Sequence, residues 1–221
     1  MDPLSIAAST ITILGAISTT FKTLKTIKQL PEAFDKVQND LPLVEGILRS
    51  AENRLGDDQN ATDEDKNAAL QVLRPTFEKA QELHRVFNAM QDECKKDQGA
   101  KDWAKLRGVY HKAVRGFKAS RVEHLMKDIL ENMKKLALSQ IFKSADQFDI
   151  QALEKAIQDL ANVEPSLPDS EFLPDGQIAA SQDIAEGGFG MQNNIQGGTN
   201  TFTQAKYSAT GKGHSINYGK D

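Results

Sequence analysis

The chain has 221 residues, 39% of them hydrophobic, with a formal net charge of −4. That length accommodates one packed domain plus an appendage, and the near balance of charge singles out no class of partner, so any electrostatic function must come from local patches. One cysteine, Cys94, excludes a disulfide framework and fits a reducing compartment.

Asp2 is a candidate N-cap ahead of Pro3, and the spacing predicts a first helix to about Gln29, before Pro31. No basic region precedes Leu4, which argues against a cleavable signal peptide. Between Asp2 and Lys22 lie 19 uncharged residues, PLSIAASTITILGAISTTF. That approaches a membrane span of about 20 residues, although seven of the 19 are Ser or Thr. Two readings stay open. One is a central helix buried by its neighbours. The other is a conditional membrane helix that inserts through Leu4, Ile6, Ile11, Ile13, Leu14, Ile17 and Phe21. Lys22, Lys25 and Lys28 follow near one helix face. Such a cluster attracts anionic lipid by about 1 kcal/mol per charge, and the asymmetry predicts that Met1 crosses while the lysines stay.

A second helix is predicted over about 32–55 from Phe34, Val37, Leu41, Val44 and Leu48, with a kink or break at Pro42. Thr62 and Asp65 stand in capping-box spacing for a third, running to about Lys96 through Leu73, Leu83 and Phe87, with Pro75 bending it. A long helical stretch follows over about 101–143, weakened by Gly108 and Gly116 in its first third. Its second part is strongly amphipathic through Val122, Leu125, Met126, Ile129, Met133, Leu136 and Ile141. A last helix, about 149–162, uses Ile150, Leu153, Ile157 and Leu160. The fold class is all-α, a bundle of four to six helices followed by a flexible C-terminal tail.

Residues 101–121 carry seven Lys or Arg against one acid, Asp102. This is either a solvated helix face or a lipid-headgroup surface, with Lys105, Arg107, Lys112 and Arg115 as the contacts. No nucleic-acid fold motif accompanies it. The four histidines form no His-x3-His pair. The glycine clusters at 187–190 and 211–213 fail both phosphate-loop patterns, and no nucleophile elbow occurs. The sequence therefore reads as non-enzymatic, without cofactor or metal.

Glu164-Pro165 and Leu167-Pro168 stop helix formation. This divides the chain into a helical domain at 1–164, a linker at 165–186 and a signalling motif at 187–221. Between Glu186 and Lys206 no side chain is charged. Low charge, no proline and stackable amides suit cross-β assembly. In a parallel in-register stack the amyloid core would comprise Gln192, Asn193, Asn194, Ile195, Gln196, Gly197, Gly198, Asn200, Phe202, Gln204 and Tyr207. One copy lacks a partner strand, whereas many copies gain cooperatively. A plain disordered tail is the other reading.

The opening MDPLSIAASTITILGAISTTFKTLKTI resembles fungal HeLo-like domains, relatives of the het-S toxin domain. The tail NNIQGGTNTF resembles the amyloid motif related to the RIP homotypic interaction motif. Ile195, Gln196 and Gly198 match it, and Gly197 departs from the usual aliphatic third position. The pairing is similar to the HELLP-like proteins. That resemblance implies a cell-death execution protein, cytoplasmic at rest. A cognate NLR-type receptor would template the tail into amyloid, the copies would self-associate, and the N-terminal helix would insert into anionic lipid of the plasma membrane and permeabilise it. The alternative is a non-toxic helical adaptor that oligomerises through the same tail.

Overall fold

The structure is a computed structural model that describes residues 2–57, 62–96, 102–139, 147–172, 192–196 and 199–203. Among the described residues, six α-helices form one compact unit over Met1–Phe172: α1 (Pro3–Leu24), α2 (Glu32–Asp57), α3 (Asp63–Lys96), α4 (Trp103–Ala113), α5 (Val122–Leu138) and α6 (Gln147–Asn162). A 3-10 turn, Lys118–Ser120, links α4 to α5, and another, Asp169–Phe172, closes the unit. α1 packs on α2 and α3, α5 on α2, α3 and α6, and α4 on α3. The all-helical class read from the sequence describes this unit.

The helical periods become the core. Phe34, Val37, Leu41, Val44 and Leu48 are buried along α2. Along α5, Val122, Leu125, Met126, Ile129, Met133 and Leu136 are buried, while Ile141 lies outside the described residues. Phe34 stands at the centre of an aromatic cluster, its ring centroid 5.6 Å from Phe87, 5.7 Å from Trp103 and 5.3 Å from Tyr110. Phe21 joins from α1 against Phe87 at 6.5 Å. The cluster therefore ties α1, α2, α3 and α4 together, each ring removing apolar area from water.

Three boundaries differ from the sequence reading. α1 ends at Leu24, short of Gln29. There the Ile27 N–H donates to the Leu24 carbonyl at 2.9 Å, which brings Ile27 into the core, and Gln29 takes φ 59°. Pro42 breaks nothing, since α2 runs through it. Buried Leu41 and Val44 hold both halves in place, and Pro42 itself is exposed. Burial on both sides thus outweighs one missing backbone bond. The long stretch from 101 splits into α4 and α5, because Arg115 and Gly116 take φ of 53° and 67°, outside the right-handed helical region.

The compact unit also extends past the prolines to Phe172. Ser166 and Leu167 are buried, so residues 165–172, which read as the start of a linker, pack on the helices. A second unit spans Leu173–Asp221. Its described part is an antiparallel hairpin of β1 (Gln192–Gln196) and β2 (Thr199–Thr203), with Asn193 opposite Phe202 and Ile195 opposite Asn200.

Candidate functional site

α1 is the candidate site. Asp2 caps it, accepting from the Ser5 N–H at 3.0 Å and the Ser5 hydroxyl at 2.6 Å. These bonds hold the Asp2 carboxyl below its ordinary range. Among the described residues it is the one helix long and apolar enough to cross a membrane. The seven apolar residues singled out in the sequence divide into two groups. Ile6, Leu14, Ile17 and Phe21 are buried, whereas Leu4, Ile11 and Ile13 are half-buried against the core. α1 is thus a core helix in this conformation, with Thr12, Gly15 and Thr19 exposed.

The hydroxyls of α1 turn back on its own backbone. Thr10 donates to the Ile6 carbonyl at 2.7 Å, Thr12 to Ala8 at 3.0 Å and Thr19 to Gly15 at 2.9 Å. A hydroxyl satisfied this way needs no water and travels with the helix. Side-chain hydrogen bonds also join α1 to its neighbours. Gln38 Nε2 donates to Ser18 Oγ at 3.0 Å, Thr20 Oγ1 to Asn88 Oδ1 at 3.4 Å and Gln91 Nε2 to Thr23 Oγ1 at 3.4 Å. Apolar packing is what holds the helix.

The basic residues lie beyond its C-terminus. Lys22, Lys25 and Lys28 are all exposed. The Lys28 carbonyl accepts from the Trp103 N–H at 2.9 Å, which staples the start of α4 to the end of the α1 turn. Lys105, Arg107, Lys112 and Arg115 are likewise exposed on and just after α4. The fold therefore brings the two basic stretches of the sequence into contact at Lys28.

The segment after α6 lies on this basic region, and nothing in its composition announces that role. Asp169 pairs with Lys118 at 2.8 Å and Arg121 at 3.0 Å, and Glu171 pairs with Arg107. The hydrogen bond from Lys118 holds the Asp169 carboxyl below its ordinary range. Arg121, which read as a solvated basic residue, is instead buried, 3.1 Å from Glu123 and donating to the Leu167 carbonyl at 2.7 Å. Its guanidinium also stands over the Phe172 ring at 5.6 Å. Ser166 fixes the segment from below. Its N–H and hydroxyl donate to the two Glu123 carboxylate oxygens, and its Oγ lies 2.6 Å from the Tyr110 hydroxyl. Burial, with the Glu123 charge behind it, pushes the Tyr110 phenol far above its ordinary range, so it stays a neutral hydrogen-bonding group.

In the tail, Gln192, Asn193, Asn194, Ile195, Gln196, Asn200 and Phe202 fall on the two strands. Gly197, Gly198, Gln204 and Tyr207 lie outside the described residues. The sequence reading has a single copy lacking a partner strand; here β1 and β2 pair antiparallel within one chain.

No curated protein and no solved structure matches the chain. A family model does, over residues 7–136, from the first turns of α1 almost to the end of α5. It is described as SesA, the N-terminal domain on NACHT NTPase and P-loop NTPases, and since the match spans more than half of the sequence, the chain belongs to the SesA family.

Proposed function

We propose that this protein is a non-enzymatic cell-death effector of NLR-type signalling, which permeabilises the plasma membrane when its tail is templated into amyloid. Membership of a family found on NACHT NTPases supports the signalling context. One observation carries the membrane step: α1 is 22 residues long, without charge from Pro3 to Phe21, and three of its threonines are bonded to its own carbonyls. Moving it into water would expose Ile6, Leu14, Ile17, Phe21 and Leu24 at about 1.5–3 kcal/mol each. Moving it into lipid costs far less, since those side chains stay in an apolar phase. The resting, cytoplasmic protein keeps α1 in its core. Assembly of many tails, seeded by a receptor with a matching motif, concentrates the domains at anionic lipid. The strands at 192–196 and 199–203 then re-pair between copies as a cross-β core.

The test is dye leakage from vesicles containing phosphatidylserine, with full-length protein, seeded and unseeded by fibrils of residues 171–221. Gly15→Glu supplies the control. Gly15 is exposed and a Cβ there meets no neighbour, so the resting domain has open space for the change. In the bilayer a central charge costs about 2.5–3.5 kcal/mol. Seeded wild type should leak and Gly15→Glu should not. Equal leakage by both, or none by seeded wild type, would remove the membrane step and leave the adaptor reading.

A further inference from the structure

Phe117 and Leu138 are the two large hydrophobic side chains exposed among the described residues, at 66% and 60%. Phe117 does not sit on slack chain. It follows a turn in which Arg115 and Gly116 both take positive φ, a conformation that arginine rarely adopts. Three backbone bonds hold that turn: Arg115 N–H to Lys112 O at 3.0 Å, Gly116 N–H to His111 O at 3.4 Å and Phe117 N–H to Val114 O at 3.0 Å. The turn therefore presents Phe117 to solvent by construction.

Its surroundings are cationic. From Trp103 to Val122 the sequence has no acidic residue. Lys112, Arg115 and Lys118, close to Phe117 in the chain, are exposed; Lys118 also pairs with Asp169, and Lys112 and Arg115 have no ion pair among the described residues. Lys105 stands two helical turns before Lys112, on the same face of α4. Positive charge alone suits any anionic surface. An exposed aromatic ring on a bonded turn, flanked in the chain by those charges, suits a surface with an apolar layer just beneath an anionic one, which is a bilayer.

We infer that the Arg115–Lys118 loop is an interfacial anchor that docks the folded domain on an anionic membrane. Phe117 enters the boundary between headgroups and acyl chains, and Lys112, Arg115 and Lys118 contact lipid phosphate and carboxylate around it. The anchor rests on the membrane reading above but needs neither insertion of α1 nor leakage.

Full-length protein is to be sedimented with phosphatidylcholine vesicles, with and without phosphatidylserine, as wild type, Phe117→Ala and Arg115→Glu. Phe117→Trp is read by tryptophan emission and quenching by brominated lipid, against the wild-type signal of Trp103. Wild type should bind the anionic vesicles. Phe117→Ala should weaken binding about five- to tenfold, with an unchanged thermal midpoint because the ring is exposed. Arg115→Glu should weaken it as well, by reversing a charge beside the ring. The emission of Phe117→Trp should shift to the blue and be quenched. Equal binding by Phe117→Ala, no quenching of Phe117→Trp beyond the wild-type signal, or binding indifferent to phosphatidylserine would each overturn the anchor. Equal binding by Phe117→Ala with intact seeded leakage overturns the anchor alone. Phe117-dependent binding without leakage overturns the permeabilising function alone. Absence of wild-type binding overturns the anchor, and absence of both that binding and seeded leakage overturns both.

Discussion

The Ser166 hydroxyl donates to Glu123 Oε2 at 2.7 Å, a bond buried between residues 43 positions apart. It fastens the end of the helical unit to the first turn of α5. Replacing Ser166 by alanine leaves one Glu123 oxygen and the Tyr110 hydroxyl short of a partner, and should cost about 1–3 kcal/mol. Glu123→Ala should cost more, about 3–5 kcal/mol, since it removes the buried one of Arg121's two carboxylate partners and leaves only the exposed Asp169. Urea unfolding of the two variants checks both the size and the order.

Asp169 and Glu171 neutralise Lys118, Arg121 and Arg107. The double variant Asp169→Asn, Glu171→Gln should bind phosphatidylserine vesicles several-fold more tightly than wild type at low salt. The difference should shrink as salt is raised, and the thermal midpoint should move little, because the Lys118 and Arg107 pairs are exposed and the buried Arg121 keeps Glu123. Co-sedimentation across a salt series measures this. A variant that binds no better than wild type would mean that these acids do not shield the basic face.

Asp40 is a titratable weak point between α2 and α6. Burial pushes its carboxyl up to about 6, with Lys36 opposing and Asp159 adding to the rise. Lys36 meanwhile bridges to Asp159 at 3.5 Å. A carboxyl whose folded value lies above its unfolded 3.8 holds its proton more tightly in the fold. Stability from this group is therefore greatest near and below pH 4, falls as pH rises to about 6, and stays low above that. Asp40→Asn should stabilise the protein at pH 7 by about 1 kcal/mol, discounted for partial solvation, and by almost nothing at pH 4. Unfolding at the two pH values gives the comparison.

Gly15 offers a substitution of the opposite character to the charged one. It is exposed in the middle of α1, and a methyl group there touches nothing. Gly15→Ala should raise stability by about 0.5–1 kcal/mol through lower unfolded-state entropy, and seeded leakage should persist. Calorimetry and the leakage assay together separate a helix-propensity effect from a charge effect at one position.

The helical faces were legible in the sequence because burial repeats at the helical period. Phe34, Val37, Leu41, Val44 and Leu48 needed only spacing to be found, and all are buried. The strap at 165–172 was not legible. Pro165, Pro168 and the acids Asp169 and Glu171 look like solvated linker, and their partners lie far along the chain, Arg107 being 64 residues from Glu171. Arg121 misled for a similar reason, since a basic residue among basic residues reads as surface until a buried carboxylate arrives from the fold. Phe117 was passed over because one aromatic in a glycine-containing turn has no period.

By itself the sequence determined the helical faces, that Pro3 to Phe21 is uncharged and close to spanning length, and that the tail after Glu186 is uncharged as far as Lys206 and rich in amides. These are properties of neighbouring residues, set by spacing, composition and backbone chemistry. Only the tertiary structure decided that Ile6, Leu14, Ile17 and Phe21 are buried in the core at rest. The same holds for the joining of the two basic stretches at Lys28 and Trp103, and for the pairing of Arg107 and Lys118 with Glu171 and Asp169. Burial and ion pairing belong to groups that meet in space, and these groups meet only once the helices have packed.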